Sequence, residues 1–172
     1  MTLGKVGTNT LAVINPNNYH DAQNRQNILK MRAVVDTLPS FCKTFFKGIE
    51  EYTSARTRLA YAYDIRLFFE FLHEKNAVCS KMEIKDFPLS ILDELHRQDI
   101  EEYLEYLSLY EKDGKEITND ERGKSRKLAS LRSFYNYFYQ SEMLKNNPAA
   151  LVPLPKQHEK AIIRLEPNEV AI

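Results

Sequence analysis

The sequence predicts an all-α fold, and three features of its pattern carry that prediction. Apolar residues recur at the three- and four-residue spacing of a helix face in several long stretches. No segment shows a convincing alternation of apolar and polar residues, which is the pattern of a half-buried strand. Prolines and asparagines separate the periodic stretches, as expected at helix ends.

Length and composition describe a globular chain without a membrane anchor. The 172 residues suffice for one ordinary domain with tails, and 43% hydrophobic with 28% charged residues is typical of a folded soluble protein. No apolar run approaches the ~20 residues that span a bilayer. The N-terminus lacks the basic and then apolar layout of a secretory signal. We therefore expect a cytoplasmic location and no membrane partner.

Residues 1–37 are expected to be an N-terminal tail with a possible helix. Residues 1–26 are rich in asparagine, glycine and threonine, which predicts a loose tail. A helical pattern follows from Asn27 to Pro39. The main helical domain is predicted over 38–152, and its first helix is a short amphipathic one over Ser40–Tyr52.

The next helix is predicted from Ala55 to about Lys75, with Ser54 as its N-cap. At 100° per residue, one face collects Thr57, Tyr61, Asp64, Ile65, Phe68, Phe71 and Leu72. Residues 76–98 form a connection in which Ile91, Leu92 and Leu95 suggest one short helical turn. Asp99 with Glu102 resembles a capping box that opens a further helix.

The last strong helix is predicted from Glu121 or Lys124 to Met143, after a charged loop over Glu111–Asp120. Its buried stripe consists of Leu128, Leu131, Tyr135 and Phe138. Pro148 stops it. Residues 153–172 are expected to be a linker and the start of another domain, because Val152–Lys156 holds two prolines and reads as extended.

The charge distribution changes sign sharply near residue 121. Nine acidic residues and two lysines lie between Asp99 and Glu121, whereas Arg122–Ser141 holds five basic residues and no acid. On the last helix, Arg122, Arg126, Ala129, Ser130 and Ser133 are predicted to face away from the buried stripe. Small residues allow a close approach, and the flanking cations can reach phosphates. The alternative interpretation is a solvated helix face.

No catalytic or metal-binding constellation appears in the sequence. The four histidines stand in no spaced metal or catalytic motif, and the glycine-rich motifs of nucleotide-binding proteins are absent. Cys42 and Cys79 each stand alone and are expected to be reduced core thiols. We therefore expect no metal and no cofactor.

Two long stretches and three shorter pieces of the sequence form a set of motifs in a fixed order. The first is Ser54-x-x-Thr57-x-x-x-Tyr61-x-x-Asp64-Ile65-x-x-Phe68-x-x-Phe71-Leu72. The second is Arg126-x-Leu128-x-x-Leu131-Arg132-x-Phe134-Tyr135-x-Tyr137-Phe138. The shorter pieces are Asp99-Ile100-x-x-Tyr103-Leu104, then Asn147-Pro148-Ala149 with Leu154-Pro155-Lys156, and Leu165-x-Pro167-x-Glu169-Val170. In this order and spacing they resemble the core-binding domain of tyrosine recombinases of the phage-integrase and Xer type, over roughly residues 38–172.

The resemblance implies an orthogonal, SAM-like bundle of four to five helices that grips one side of a DNA duplex. The DNA-binding residues implied by the matching positions are Ser54, Thr57, Arg58, Lys124, Arg126, Lys127, Arg132 and Lys156. The implied partners are double-stranded DNA and other recombinase protomers on the same site. The family's catalytic residues belong to a separate domain that would begin near Arg164, so none is expected in this chain, although the parent protein would be a DNA breaking and rejoining enzyme.

Two other functions remain open. A helical protein–protein interaction module without DNA binding would predict no salt-dependent DNA affinity and an exposed apolar patch. A helix-turn-helix regulator would require two helices joined by a three- or four-residue turn, which the Glu111–Asp120 loop is too long to supply.

Overall fold

A computed structural model describes residues 16–156 of the chain. The described residues are predominantly α-helical, which confirms the predicted all-α class. The helices are α1 (Pro16–Val35), α2 (Phe41–Gly48), α3 (Ala55–Lys75), α4 (Ser90–Glu94), α5 (Arg97–Tyr106) and α6 (Glu121–Gln140). Short 3-10 helices occur at Cys79–Lys81, Ile84–Asp86 and Pro148–Leu151. The chain divides into two compact units, one ending at Pro88 and the other beginning at Leu89. The predicted domain bounds stay a prediction.

The first unit is built on α1, α2 and α3, and its helix α1 begins earlier than predicted. The expectation of a loose tail up to residue 26 is wrong for residues 16–26, because α1 runs from Pro16. Proline suits the first turn of a helix, where its missing N–H is not needed. The polar residues 17–26 are all exposed, so the helix needs no apolar stripe there. The apolar stripe begins further along and buries Val34 and Val35.

Helix α3 is the most buried element of the first unit. It begins after Ser54, as predicted, and buries Asp64, Ile65, Phe68, Phe71 and Leu72. Tyr61 is only half-buried, so the expectation that it lies in the core is wrong. The predicted face omitted several buried side chains, the largest of which is Phe69, which is fully buried. Its ring lies 5.8 Å from that of Phe87 in the connecting segment and 6.1 Å from that of Phe41. Since α3 is covered on more than one side, a single stripe underestimated its burial.

The second unit packs α4, α5 and α6 together with a β-hairpin and the segment that follows α6. Helix α5 begins at Arg97, with His96 as its N-cap. The predicted N-cap, Asp99, is instead the third residue of the helix, where its carboxylate accepts a 2.7 Å hydrogen bond from the backbone N–H of His96. This is the acidic half of a capping box, three residues out of the predicted register.

The predicted charged loop contains a two-stranded antiparallel hairpin, β1 (Tyr110–Lys112) and β2 (Lys115–Ile117). Its two turn residues, Asp113 and Gly114, have φ angles of 53° and 73°. Positive φ at both positions is the signature of a type I′ turn, which favours Asp-Gly. Both strands are largely charged and exposed, so they lack the alternation that predicts a strand from sequence.

Helix α6 supplies the centre of the second unit. The predicted stripe of Leu128, Leu131, Tyr135 and Phe138 is buried, as is Phe134. The Tyr135 hydroxyl donates a 3.0 Å hydrogen bond to the backbone oxygen of Leu92, which ties α6 to α4. The helix ends at Gln140, three residues before the predicted end, and Glu142 follows with a φ of 59°. Among residues 16–156, no helix combines the length and apolar character needed to cross a membrane.

Candidate nucleic-acid interface

Four of the five basic residues of α6 lie in its N-terminal half, and the start of the helix is well fixed. The Asp120 carboxylate caps the helix by accepting a 2.9 Å hydrogen bond from the backbone N–H of Gly123. Arg122 and Arg126 are exposed, and Lys124 is half-exposed. Arg122 and Arg126 stand four residues apart, so they lie on one side of the helix. Lys124, two residues from each arginine, projects from a different side of the helix. We call Arg122 and Arg126 the basic face.

The small residues predicted beside this face are only partly available. Ala129 is exposed and Ser133 half-exposed, but Ser130 is 1% exposed and its hydroxyl donates to the backbone oxygen of Arg126 at 3.3 Å. The expectation that Ser130 faces outward is wrong. Residues 130, 134 and 138 form a row with four-residue spacing, and the burial of Phe134 and Phe138 brings Ser130 into the core with them.

Lys127 takes part in holding the start of α6. Its Nζ donates a 2.9 Å hydrogen bond to Oδ1 of Asn119, and the side-chain amide of Asn119 donates to the backbone oxygen of Leu107 at 3.0 Å. These bonds connect α6 to the end of α5 across the hairpin. Lys127 is half-exposed and therefore combines a structural contact with a charge near the basic face.

Arg132 is engaged by the segment that leaves α6. Its Nε donates to the backbone oxygen of Ala149 at 3.1 Å, and its Nη2 donates to the backbone oxygen of Val152. Both acceptors belong to buried residues. The guanidinium thus satisfies carbonyl groups that would otherwise be buried without a donor.

The segment over residues 144–155, here called the exit segment, runs back along α6. The side-chain amide of Asn147 donates to Asn136 Oδ1 at 2.7 Å, and the Ser125 hydroxyl donates to the backbone oxygen of Pro155 at 3.3 Å. With the Arg132 bonds, residues 136, 132 and 125 of the helix meet successively later residues of the segment. The exit segment is therefore antiparallel to α6 and returns toward its N-terminal half.

The beginning of the exit segment is fixed by Asp93 on α4. Its Oδ1 accepts hydrogen bonds from the backbone N–H groups of Lys145 at 2.9 Å and Asn146 at 3.0 Å. Leu144, Ala149 and Val152 are buried, so the segment is packed as well as hydrogen-bonded. Neither Asp93 nor Ser125 stands out in the sequence, because no local pattern indicates a partner 30 or 50 residues away.

This path brings Lys156 close to the basic face. Lys156 directly follows Pro155, whose carbonyl meets Ser125, and Ser125 lies between Lys124 and Arg126. Lys156 is exposed. Lys124 and Arg126 of α6 are at least 30 residues from the predicted linker lysine, Lys156, in the sequence. The hydrogen bond between Ser125 and Pro155 brings the two backbone segments that carry them together. The resemblance over Leu165–Val170 lies outside the described residues.

The residues predicted at the start of α3 differ in their availability. Ser54 is exposed and its Oγ accepts the backbone N–H of Thr57 at 3.1 Å, while its hydroxyl donates to Thr57 Oγ1 at 3.0 Å. Thr57 is half-exposed. Arg58 is 7% exposed, and its Nη1 donates to the backbone oxygens of Glu50 and Thr53 and to Thr53 Oγ1. Arg58 therefore holds the α2–α3 connection from inside.

The described residues contain no cluster of His, Cys, Asp and Glu side chains with the geometry of a metal site. Cys42 and Cys79 are buried free thiols. Burial raises the pKa of the Cys42 thiol well above its ordinary value. Burial also raises the pKa of Tyr135, and the neighbouring Asp99 and Asp93 carboxylates add to that effect. Neither group is set up as a nucleophile.

Sequence relatives point to one family. A tyrosine recombinase XerC of Caldanaerobacter subterraneus is 33% identical over 110 residues, which cover 60% of this chain and 30% of that protein. XerC of Leptospira interrogans is 32% identical over 121 residues, 70% of this chain and 33% of the relative. XerC of Anoxybacillus flavithermus is 31% identical over 125 residues, 72% of this chain and 34% of the relative. The chain is homologous to Xer-type tyrosine recombinases.

The predicted family resemblance is thereby confirmed. The chain spans about a third of the length of the curated recombinases it matches. No family model matches the chain, and no solved structure matches it. The homology supports a recombinase-related role and leaves the task of this region to be inferred from its own residues.

Proposed function

We propose that this chain is the core-binding region of a site-specific tyrosine recombinase and that it grips duplex DNA while a separate catalytic domain cleaves and rejoins the strands. The observation that carries the proposal is the convergence of the basic face of α6 with Lys156 of the exit segment. Double-stranded DNA and other recombinase protomers on the same site are the partners that the proposal implies.

The proposed grip depends on the concentration of cations on α6. After Glu121 at its first position, the helix carries no carboxylate up to Gln140. Arginine and lysine side chains on such a face neutralise phosphates and fix the orientation of the duplex. Arg122, Arg126 and Lys156 are the proposed phosphate-binding set, with Lys124 and Lys127 at its edges.

The other four sequence-predicted residues receive different proposed roles. Ser54 caps α3 by accepting the backbone N–H of Thr57, and the exposed Ser54 can still offer its hydroxyl to a phosphate. Arg58 and Arg132 are proposed to act through structure: each donates to backbone carbonyls of its own unit. Their loss should therefore change stability first and DNA affinity second.

The proposal is tested by a mobility-shift titration of labelled duplex DNA of arbitrary sequence at low salt. We expect the unmodified chain to shift the duplex. The Arg122→Ala and Arg126→Ala double variant should bind about 5- to 30-fold more weakly, since losing the two charge-assisted contacts costs about 1–2 kcal/mol. Arg25→Ala removes the same kind of exposed charge from α1 and should bind nearly as well as the parent. Equal binding by the double variant and the parent would favour a protein–protein interaction module.

A further inference from the structure

A cleft in the first unit is lined by apolar and charged residues, none of which belongs to the basic face of α6. It has a volume of about 370 Å³ and lies among α1, α2 and the start of α3. Its apolar lining includes Met31, Val35 and Phe46, and Val35 and Phe46 are otherwise buried. An apolar floor of this kind gains from covering by an apolar group of a ligand.

The rim of the same cleft is cationic. Arg32, Lys43, Lys47 and Arg58 line it, against Asp36 and Glu50. Asp36 is paired with Lys43 at 3.1 Å. Arg32, Lys47 and Arg58 form no ion pair with any residue in the described range 16–156. The cleft thus presents three cations and one uncommitted carboxylate around an apolar floor.

Arg58 gives the cleft a preference for a carboxylate. It is more than nine-tenths buried, and only its Nη1 donates hydrogen bonds to described residues. Its Nε and Nη2 have no acceptor among residues 16–156. These two N–H groups form the edge of a guanidinium that binds a carboxylate in a bidentate manner. Neither of these two atoms is fully buried, so an anion can reach them.

We propose that this cleft binds a peptide segment of another protein that presents a carboxylate beside an apolar side chain. The carboxylate would meet Arg58 and be steered by Lys47 and Arg32, and the apolar side chain would lie against Met31, Val35 and Phe46. A DNA phosphate is the less favoured ligand, because it has no apolar group to cover that floor. This site is independent of the basic face on α6.

The test is methyl NMR of the full chain labelled at its methionine methyl groups, with a capped heptapeptide that alternates glutamate and leucine. The four methionines include Met31 in the cleft, while Met82 and Met143 lie outside its lining and serve as internal controls. We expect the peptide to shift the Met31 resonance selectively. The same peptide with glutamine in place of glutamate, and inorganic phosphate, should each bind at least about tenfold more weakly, as expected from losing a charge-assisted contact or the apolar one.

Two variants locate the binding charge. Lys47 is exposed, so Lys47→Glu should not affect folding. We expect this variant to bind the peptide about threefold more weakly or worse, as is typical when a charge at the rim of a binding site is reversed. Arg58→Lys keeps the positive charge but cannot donate two parallel hydrogen bonds to a carboxylate. We expect it to lower the affinity for the peptide further than Lys47→Glu does. The proposal is overturned if Met31 does not shift, if the glutamine peptide or phosphate binds equally, if Lys47→Glu has no effect, or if duplex DNA shifts Met31 and the peptide does not.

Discussion

Arg132 Nε lies 3.1 Å from the backbone oxygen of Ala149, and this bond fixes the exit segment against α6 seventeen residues after the arginine. The same guanidinium also reaches Val152. The path of residues 149–155 is therefore set from the middle of α6, and the position of Lys156 depends on it.

Replacing Arg132 with alanine should loosen the exit segment. Two carbonyl acceptors lose a charged donor, so the free energy of unfolding should fall by about 1.5–3 kcal/mol, measured by urea denaturation. Backbone amide exchange should accelerate over residues 149–155. Arg122→Ala, on the exposed side of the same helix, is the control and should change stability by no more than about 0.5 kcal/mol. If both variants are equally stable, Arg132 does not hold the segment.

The core of each unit can be tested by one truncation. Phe68→Ala in α3 and Leu131→Ala in α6 each remove a side chain that is almost fully buried. Each should destabilise the chain by about 2–5 kcal/mol in chemical denaturation, through lost burial and the cavity left behind. Tyr139→Ala removes a large side chain that is about half exposed and should cost far less. Comparable losses in all three would mean that the register of α6 is wrong.

Gly114 should be sensitive to any side chain. Its φ of 73° disfavours other residues, although a Cβ built there meets nothing within 4 Å. Gly114→Ala should therefore cost about 1–2 kcal/mol through backbone strain alone, and Gly114→Asn less, since asparagine tolerates this conformation. Thermal unfolding of the two variants gives the comparison. No difference from the parent in either variant would argue against the type I′ turn.

Most of the helices could be predicted from the sequence, because burial on one face leaves a periodic pattern. That reasoning located Phe68 and Leu131 correctly. It missed the hairpin, whose strands are exposed and charged, although Asp113-Gly114 was a usable signal. It also missed the N-terminal half of α1, where no apolar face exists to be recognised.

The candidate site was less predictable than the fold. The basic stretch of α6 is visible in the sequence, but side-chain roles depend on distant partners. Arg58 and Arg132 occupy positions that the family resemblance marks as DNA-binding. In the folded chain, however, each donates to backbone carbonyl groups that lie several residues away in the sequence. The return of Lys156 to the neighbourhood of Ser125 likewise depends on Asp93, Asn136 and Arg132, which no local pattern connects.

The two cysteines should be unreactive in the folded chain. Both are buried, and the raised pKa of Cys42 keeps the thiolate scarce up to pH values above its ordinary range. A disulfide reagent at pH 8 should therefore modify neither thiol until denaturant is added. Raising the pH to 9 should not release Cys42, since the folded-state pKa lies higher still. Rapid labelling under native conditions would show that the first unit opens locally.

The most direct test of the DNA-binding account is the salt dependence of duplex affinity, measured by fluorescence anisotropy between low and moderate salt. Three proposed phosphate contacts, from Arg122, Arg126 and Lys156, predict a slope of log affinity against log salt of about −2.7. Arg126→Ala should flatten that slope by about one unit, whereas Arg25→Ala and Glu105→Ala should leave it unchanged. Binding that ignores salt, or equal affinity of the parent and Arg126→Ala at low salt, would contradict the account.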